Sequence, residues 1–292
     1  MEQDTERSYA LDEGRPPDAS GLGPVAYVRH RPVEPAESRR AARHWWDGDA
    51  DGYVAEHGAD LGEVDLLWCP EGLRESEVHL LGPRSGLAGR AVLEIGCGTA
   101  PVARWLRAVG AHAVGLDLSA GMLRHAAATN KRTGIDVPLV QADACQIPFA
   151  GESFDLVVSA FGAIAFVARP EQVMAEAARV LRPGGRFVFS TNHPFRWVFP
   201  DSPAAADLSV QTSYFDRRAY VEVDDHERPT YVETHRTIGE RIGDLVAAGL
   251  VLDAFIEPEW VAGREVVWGQ WSAERAAWVP GTAIYCAHKP DA

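Results

Sequence analysis

Short apolar runs alternate with stretches of helical periodicity over the middle third of the chain. Ala91–Ile95 (AVLEI) reads as a buried strand and is followed at once by the glycine turn Gly96–Cys97–Gly98. Thr99 and Pro101 suit the opening of a helix, on which Val102, Trp105, Leu106 and Val109 recur at i, i+3, i+4 and i+7 before Gly110 stops it. Ala113–Leu118 is a second strand, and Ser119 is placed to cap a helix with Met122, Leu123 and Ala126 on one face. Leu139–Ala142 and Asp155–Ser159 follow as the third and fourth strands. A helix from about Pro170 to Leu181 leads through the tight turn Pro183–Gly184–Gly185 into a fifth strand, Phe187–Ser190. Strands alternating with helices of this length predict an α/β fold, a mostly parallel sheet with helices on both faces.

On either side the rhythm changes. Residues 1–35 mix Pro, Gly, Glu and Arg without a period and are expected to form a flexible N-terminal arm. Residues 36–88 read as a helical cap: one helix and a turn carrying Trp45, Trp46 and Tyr53, then a short helix from Glu71 to Leu81. Residues 89–191 hold the alternating core, and 192–236, aromatic and polar with no clean period, read as an insertion. Over residues 237–292, Thr237–Ala248 is a predicted helix with Ile238, Ile242, Leu245 and Val246 on one face. Leu250–Ile256 and Ala283–Ala287, separated by a Trp-rich loop, bring the sheet to an expected seven strands.

Chemistry concentrates at the first glycine turn. Glycines at a strand-to-helix junction let the backbone approach a ligand closely, and the helix N-terminus presents free N–H groups. The dinucleotide fingerprint G-x-G-x-x-G needs a glycine at position 101; Pro101 stands there and argues against a nicotinamide or flavin site. The longer run Val92–Ala100 (VLEIGCGTA) resembles the first motif of the class I, Rossmann-like S-adenosylmethionine-dependent methyltransferases. GLDLS (115–119) resembles the second motif, QADA (141–144) the third and FDLVVSAFGAIAF (154–166) the fourth. LRPGGRFVFS (181–190) resembles the turn and strand that follow. The matches run in order from Val92 to Ser190. Ala100 departs from the pattern, because it stands where the family's third glycine usually lies.

The resemblance implies a bound S-adenosyl-L-methionine, released as S-adenosyl-L-homocysteine, and gives each motif residue a role. Gly96 and Gly98 would pass beneath the methionine part, with Cys97, Leu118 and Ala160 alongside. Glu94 would hold the loop and add negative potential near the cofactor's ammonium. Asp117 would accept from both ribose hydroxyls. Asp143 would accept from the adenine amino group while the Ala144 N–H meets a ring nitrogen, and Met122 would pack on the adenine face. The competing readings are helix caps for Glu94 and Asp117 and a core side chain for Met122.

Charge and composition narrow the acceptor. The chain has 28 Lys and Arg against 42 Asp and Glu, a formal charge of −14, without a dense basic cluster. Such a chain repels polyanions, so no nucleic-acid partner is expected. No apolar run approaches the roughly 18 residues of a membrane span, and the polar, acidic start lacks the character of a signal peptide. No membrane partner and a cytoplasmic location are therefore expected. The four cysteines Cys69, Cys97, Cys145 and Cys286 are scattered and read as free thiols, and no ligand spacing suggests a metal. Oligomeric state is left open.

A small-molecule acceptor, apolar or aromatic, fits best. Methyl transfer from a sulfonium is an in-line displacement in which alignment does most of the work. For an acceptor that carries a proton, His193 (just past strand five) and His235 (before the next helix) are the candidate general bases. Eight of the nine tryptophans lie outside the cofactor half, consistent with an aromatic lid; Tyr53, Phe161, Trp197, Tyr214 and Phe215 are the candidate pocket residues. Two alternatives stand beside this reading. A tRNA or protein methyltransferase predicts a basic groove or an N/D-P-P-Y/F tetrapeptide, where this chain has Ser159–Ala160–Phe161–Gly162. A non-catalytic cofactor-binding or scaffolding protein is the other.

Overall fold

A computed structural model describes residues 26–291. In chain order its elements are β1 (Tyr27–Arg31), α1 (Pro35–Leu61), α2 (Glu75–Val78), β2 (Ala91–Ile95), α3 (Pro101–Ala108), β3 (His112–Asp117), α4 (Ala120–Thr133), β4 (Leu139–Gln141) and β5 (Phe154–Ala160). They continue with α5 (Pro170–Val180), β6 (Leu181–Asn192), β7 (Ala219–Val223), β8 (Pro229–Glu233), α6 (Ile238–Ala247), β9 (Val251–Ile256), α7 (Ala273–Ala276) and β10 (Thr282–His288). Seven strands form the main sheet in the order β4-β3-β2-β5-β6-β10-β9, with only β10 antiparallel to its neighbours. The order reverses between β2 and β5, the place where open α/β sheets leave a crevice beyond the strand ends.

The alternation of side chains across β2 decides which layer each residue joins. Leu93 and Ile95 pack with Val157, Phe187 and Phe189 under α5 and α6, where Val173, Met174, Ala177 and Leu245 are buried. Val92 points the other way and packs with Val158, Val188 and Ile284 beneath Val102 and Leu106 of α3. Both faces are thereby covered, as a parallel sheet requires.

The flanks depart from expectation. Of the expected arm, residues 1–25 lie outside the described residues, but Tyr27–Arg31 is a strand. β1 pairs antiparallel with β7, which pairs with β8, making a three-stranded sheet that packs on α1. The period-2 signal was present in β7, where Ala219, Val221 and Val223 are buried and Tyr220 and Glu222 are not. α1 runs unbroken for 27 residues where a helix and a turn were expected; Pro35 opens it, and Glu34 and Glu37 form a capping box. The helix expected from Glu71 to Leu81 shrinks to four residues. Its cause is the buried Glu75 carboxylate, which accepts from the Trp68 Nε1–H at 3.0 Å, the Leu80 N–H at 2.9 Å and the Leu81 N–H at 2.8 Å, so it folds the chain back on itself. β6 starts at Leu181, and the Pro183–Gly185 segment lies within it.

Candidate cofactor and acceptor site

The carboxyl ends of β2, β3 and β5 open into one cavity of about 530 Å³, roofed by α1. That volume is in the range of small-molecule and cofactor pockets. Its floor is backbone. Gly96 (φ +66°) and Gly98 (φ +52°) adopt left-handed conformations that favour glycine. A Cβ on Gly96 would lie 2.6 Å from the Ala163 nitrogen and 2.7 Å from the Gly162 Cα, so the turn after β2 and the turn after β5 touch through bare backbone. Ala100 also sits in the left-handed region (φ +60°), immediately before α3. The conformation that favours glycine is kept, and the alanine carries the steric cost. Phe161 (φ +56°) and Ala163 (φ +39°) add further strain after β5. Strained backbone clusters at ligand sites because the surroundings must over-determine it.

Carboxylates stand around this floor. One Asp117 oxygen accepts the Gly98 N–H at 2.7 Å and the other accepts the Ser119 N–H at 2.8 Å, so the end of β3 braces the glycine turn directly. Burial pushes the Asp117 carboxyl up, against the pull of those two bonds. Glu94 is 2% exposed and accepts the Ala103 N–H at 2.8 Å in the first turn of α3; burial pushes its carboxyl up to about 8. Asp143 accepts the Cys145 N–H at 2.8 Å and lies 3.5 Å from the Arg39 guanidinium of α1. Cys97, Leu118, Met122, Ala144 and Ala160 line the same cavity, so all ten residues assigned to the cofactor surround one space.

α1 is tied to the core beside them. Asp47 accepts from the Ser119 Oγ–H and from the Gly121 N–H, both at 2.8 Å, at the N-terminus of α4. Gly121 permits the crossing, since a Cβ there would lie 2.9 Å from the Asp47 carbonyl oxygen. α1 thereby presents Trp46 and Tyr53 to the cavity. Trp46 packs edge-on against Tyr53 (5.4 Å) and Phe166 (5.3 Å), and Tyr53 reaches Trp268 (6.0 Å). His57 stacks flat on Trp268 at 4.0 Å and tethers the Trp-rich loop to α1. Phe161, backed by Trp271, completes this aromatic half.

Of the five expected pocket residues, Tyr53 and Phe161 line the cavity, whereas Trp197, Tyr214 and Phe215 do not. Trp197 packs under the Arg196 guanidinium and beside Tyr220, the Tyr214 hydroxyl oxygen accepts the Ile238 N–H at 2.9 Å, and Phe215 is 67% exposed. Both candidate bases are likewise displaced. The fully buried His193 has Nε2 2.9 Å from Glu257, accepts the Phe195 N–H on Nδ1 and lies between Phe195 and Phe255. His235 donates through Nε2 to the Tyr214 carbonyl at 2.7 Å. Burial lowers both imidazoles, and neither reaches the cavity. Position after a strand end put these histidines near the site in sequence, but β6 carries His193 into the sheet side of the insertion. Trp46, Trp68 and Trp268, expected only as members of an aromatic lid, line the cavity, and Phe166 and Arg39, the latter beside Asp143, were missed. The spacing of Trp46, Tyr53 and His57 at i, i+7 and i+11 marks one helix face and was the available signal.

Residues 93–189 match the family model described as a methyltransferase domain. The chain is 41% identical over 131 residues to a demethylmenaquinone methyltransferase of Clavibacter sepedonicus, covering 44% of this chain and 49% of the relative. It is 32% identical over 161 residues to a ubiquinone biosynthesis O-methyltransferase of Thiobacillus denitrificans, covering 54% of this chain and 62% of the relative. The matched part thus spans about half the length of the first of these relatives. Among solved structures, an S-adenosylmethionine dependent methyltransferase from Mesorhizobium loti superposes with a TM-score of 0.56 at 25% identity, over 73% of this chain and 96% of that one.

Proposed function

Residues 93–189 form a methyltransferase domain of the Rossmann-like, S-adenosylmethionine-dependent class, and from that premise we propose that the protein transfers a methyl group to a small, flat, apolar acceptor. The observation that carries this reading is the single cavity: a glycine floor and carboxylates on one side, an aromatic wall on the other. S-adenosylmethionine bound there supplies an activated methyl group on a sulfonium. Gly96 and Gly98 offer an open backbone beneath its methionine part, and the buried Glu94 carboxyl, accepting the Ala103 N–H, holds the start of α3 beside the glycine turn. The Asp117 oxygens keep lone pairs for the ribose hydroxyls after accepting two backbone N–H groups. Asp143 would accept from the adenine amino group, with Ala144 and Met122 against the ring.

The aromatic half does the positioning. Rings of Trp46, Tyr53, Phe166 and Trp268 shape a slot for a planar acceptor and exclude water from the transfer. The relatives' names, which concern quinones and their precursors, support a ring-shaped acceptor. The negative charge of the chain weighs against a nucleic-acid acceptor. Calorimetric titration with S-adenosylmethionine, S-adenosylhomocysteine and NAD tests the cofactor assignment. Micromolar binding of both sulfur compounds and none of NAD is expected. Binding of NAD alone would overturn it.

A further inference from the structure

The segment between β9 and β7's far neighbour β10 carries a period of two without belonging to the sheet. Arg264, Val266 and Trp268 are half-buried and Gln270 is buried, while Glu265, Val267 and Gly269 are exposed. One edge of this strap therefore faces the protein, and Trp268 is the residue by which it lines the cavity. Its inward side chains meet α1 and the segment after it. The Trp268 ring lies flat on the His57 imidazole at 4.0 Å, and the Arg264 guanidinium makes a two-pronged pair with the Asp60 carboxylate, one prong at 2.8 Å. Resting on the methyl-transfer reading above, we propose that residues 258–271 form a clasp over the ring-lined half, that the acceptor enters where this clasp lifts from α1, and that Arg264 is the positioning residue that latches it.

The latch is built for its place. The Arg264 and Asp60 side chains are only 12% and 18% exposed, so the pair is screened less than a surface ion pair. Asp60 stands in the last turn of α1, where the helix dipole favours the cation that Arg264 brings. The Arg264 Nε–H also donates to the Pro70 carbonyl at 2.6 Å, and its stem passes so close over Gly72 that a Cβ there would lie 2.6 Å from Cδ. The Trp260 indole N–H donates to the Arg264 carbonyl at 2.9 Å and fixes the backbone from which the guanidinium reaches out. The other walls are part of the core: the floor is the backbone of two strand ends, and Asp47 ties α1 to α4. A strap held by side chains is the wall that opens at the smallest cost. Arg39 and Asp143, at the adenine end, lie about 30 Å along α1 from Asp60, so lifting the clasp leaves that end in place.

The test is stopped-flow mixing of 1-aminonaphthalene, a flat, uncharged fluorophore, with the protein loaded with S-adenosylhomocysteine. Arg264→Ala and Asp60→Asn break the latch from opposite sides. Each should raise both the association and the dissociation rate constant of the probe by roughly tenfold, in keeping with loss of hydrogen bonds between charged groups, and leave its equilibrium affinity nearly unchanged. The double variant should be no faster than the faster single one, because one interaction is lost in all three. Release of S-adenosylhomocysteine should keep its wild-type rate. Trp268→Ala, which removes part of the wall itself, should instead weaken the probe's affinity. Unchanged probe kinetics in both latch variants, weaker binding without faster entry, or equally accelerated release of S-adenosylhomocysteine would each overturn the proposal. So would absence of probe binding to the loaded protein, or an unaltered affinity in Trp268→Ala. Failure of the wild-type protein to bind S-adenosylhomocysteine would instead remove the methyl-transfer reading on which it rests.

Discussion

The glycine-floored half and the ring-lined half of the cavity are built on different principles. The first is mostly backbone: a glycine turn, a second glycine at the end of β5, and carboxylates whose places are set by the ends of parallel strands. The second is side chain: rings from α1, the segment after β5 and the loop before α7, brought together only by tertiary packing. A backbone site tolerates almost no change of shape. A ring-lined site can change its acceptor by exchanging one side chain for another.

That contrast breaks most visibly at the glycine contact. Gly96→Ala should abolish cofactor binding and cost about 3 kcal/mol or more of stability, because the added Cβ has no room against Ala163 and Gly162. Thermal unfolding and calorimetry would show both losses, and a bound, stable variant would mean that the two turns are free to separate. Asp117→Ala should weaken cofactor binding by roughly 1–3 kcal/mol, since the ribose acceptor and the brace on Gly98 go together. Glu94 sharpens the picture through pH. Its folded carboxyl titrates at about 8, well above an unfolded glutamate, so the folded state holds the extra proton. The stability this contributes is full below the unfolded value and is lost as pH rises through the folded one. Denaturant titrations between pH 5 and pH 8 should show a decline on the order of 1 kcal/mol per pH unit that Glu94→Gln removes. Ala100→Gly should stabilise the protein by about 0.5–1 kcal/mol by relieving a left-handed alanine. The smallest effect is expected on the far side of the insertion: His235→Gln should leave cofactor affinity unchanged, as His235 lies outside the cavity.

The same division explains what was legible in the sequence. Strand ends, the glycine turn and Asp117, Asp143 and Met122 follow from local periodicity and from the order of motifs, and the fold places all of them on one cavity. The acceptor half was read only in part. Tyr53 and Phe161 face the cavity, but Trp197, Tyr214, Phe215, His193 and His235 occupy the other side of the insertion. Proximity in sequence to a strand end does not say which way the following chain turns. β1 pairs with β7 across almost two hundred residues, and no local signal in Tyr27–Arg31 announces that partner. A helix and a turn were expected where α1 runs to Leu61, and packing against β8 and α4 holds the whole segment helical.

The most direct measurement is a crystal structure of the complex with S-adenosylhomocysteine. The ribose hydroxyls should meet Asp117, the methionine part should lie over Gly96–Gly98, and the thioether sulfur should face the ring-lined half bounded by Tyr53, Phe161 and Trp268. A ligand bound with its sulfur turned away from those rings, or bound outside this cavity, would contradict the division of the site between core and cap.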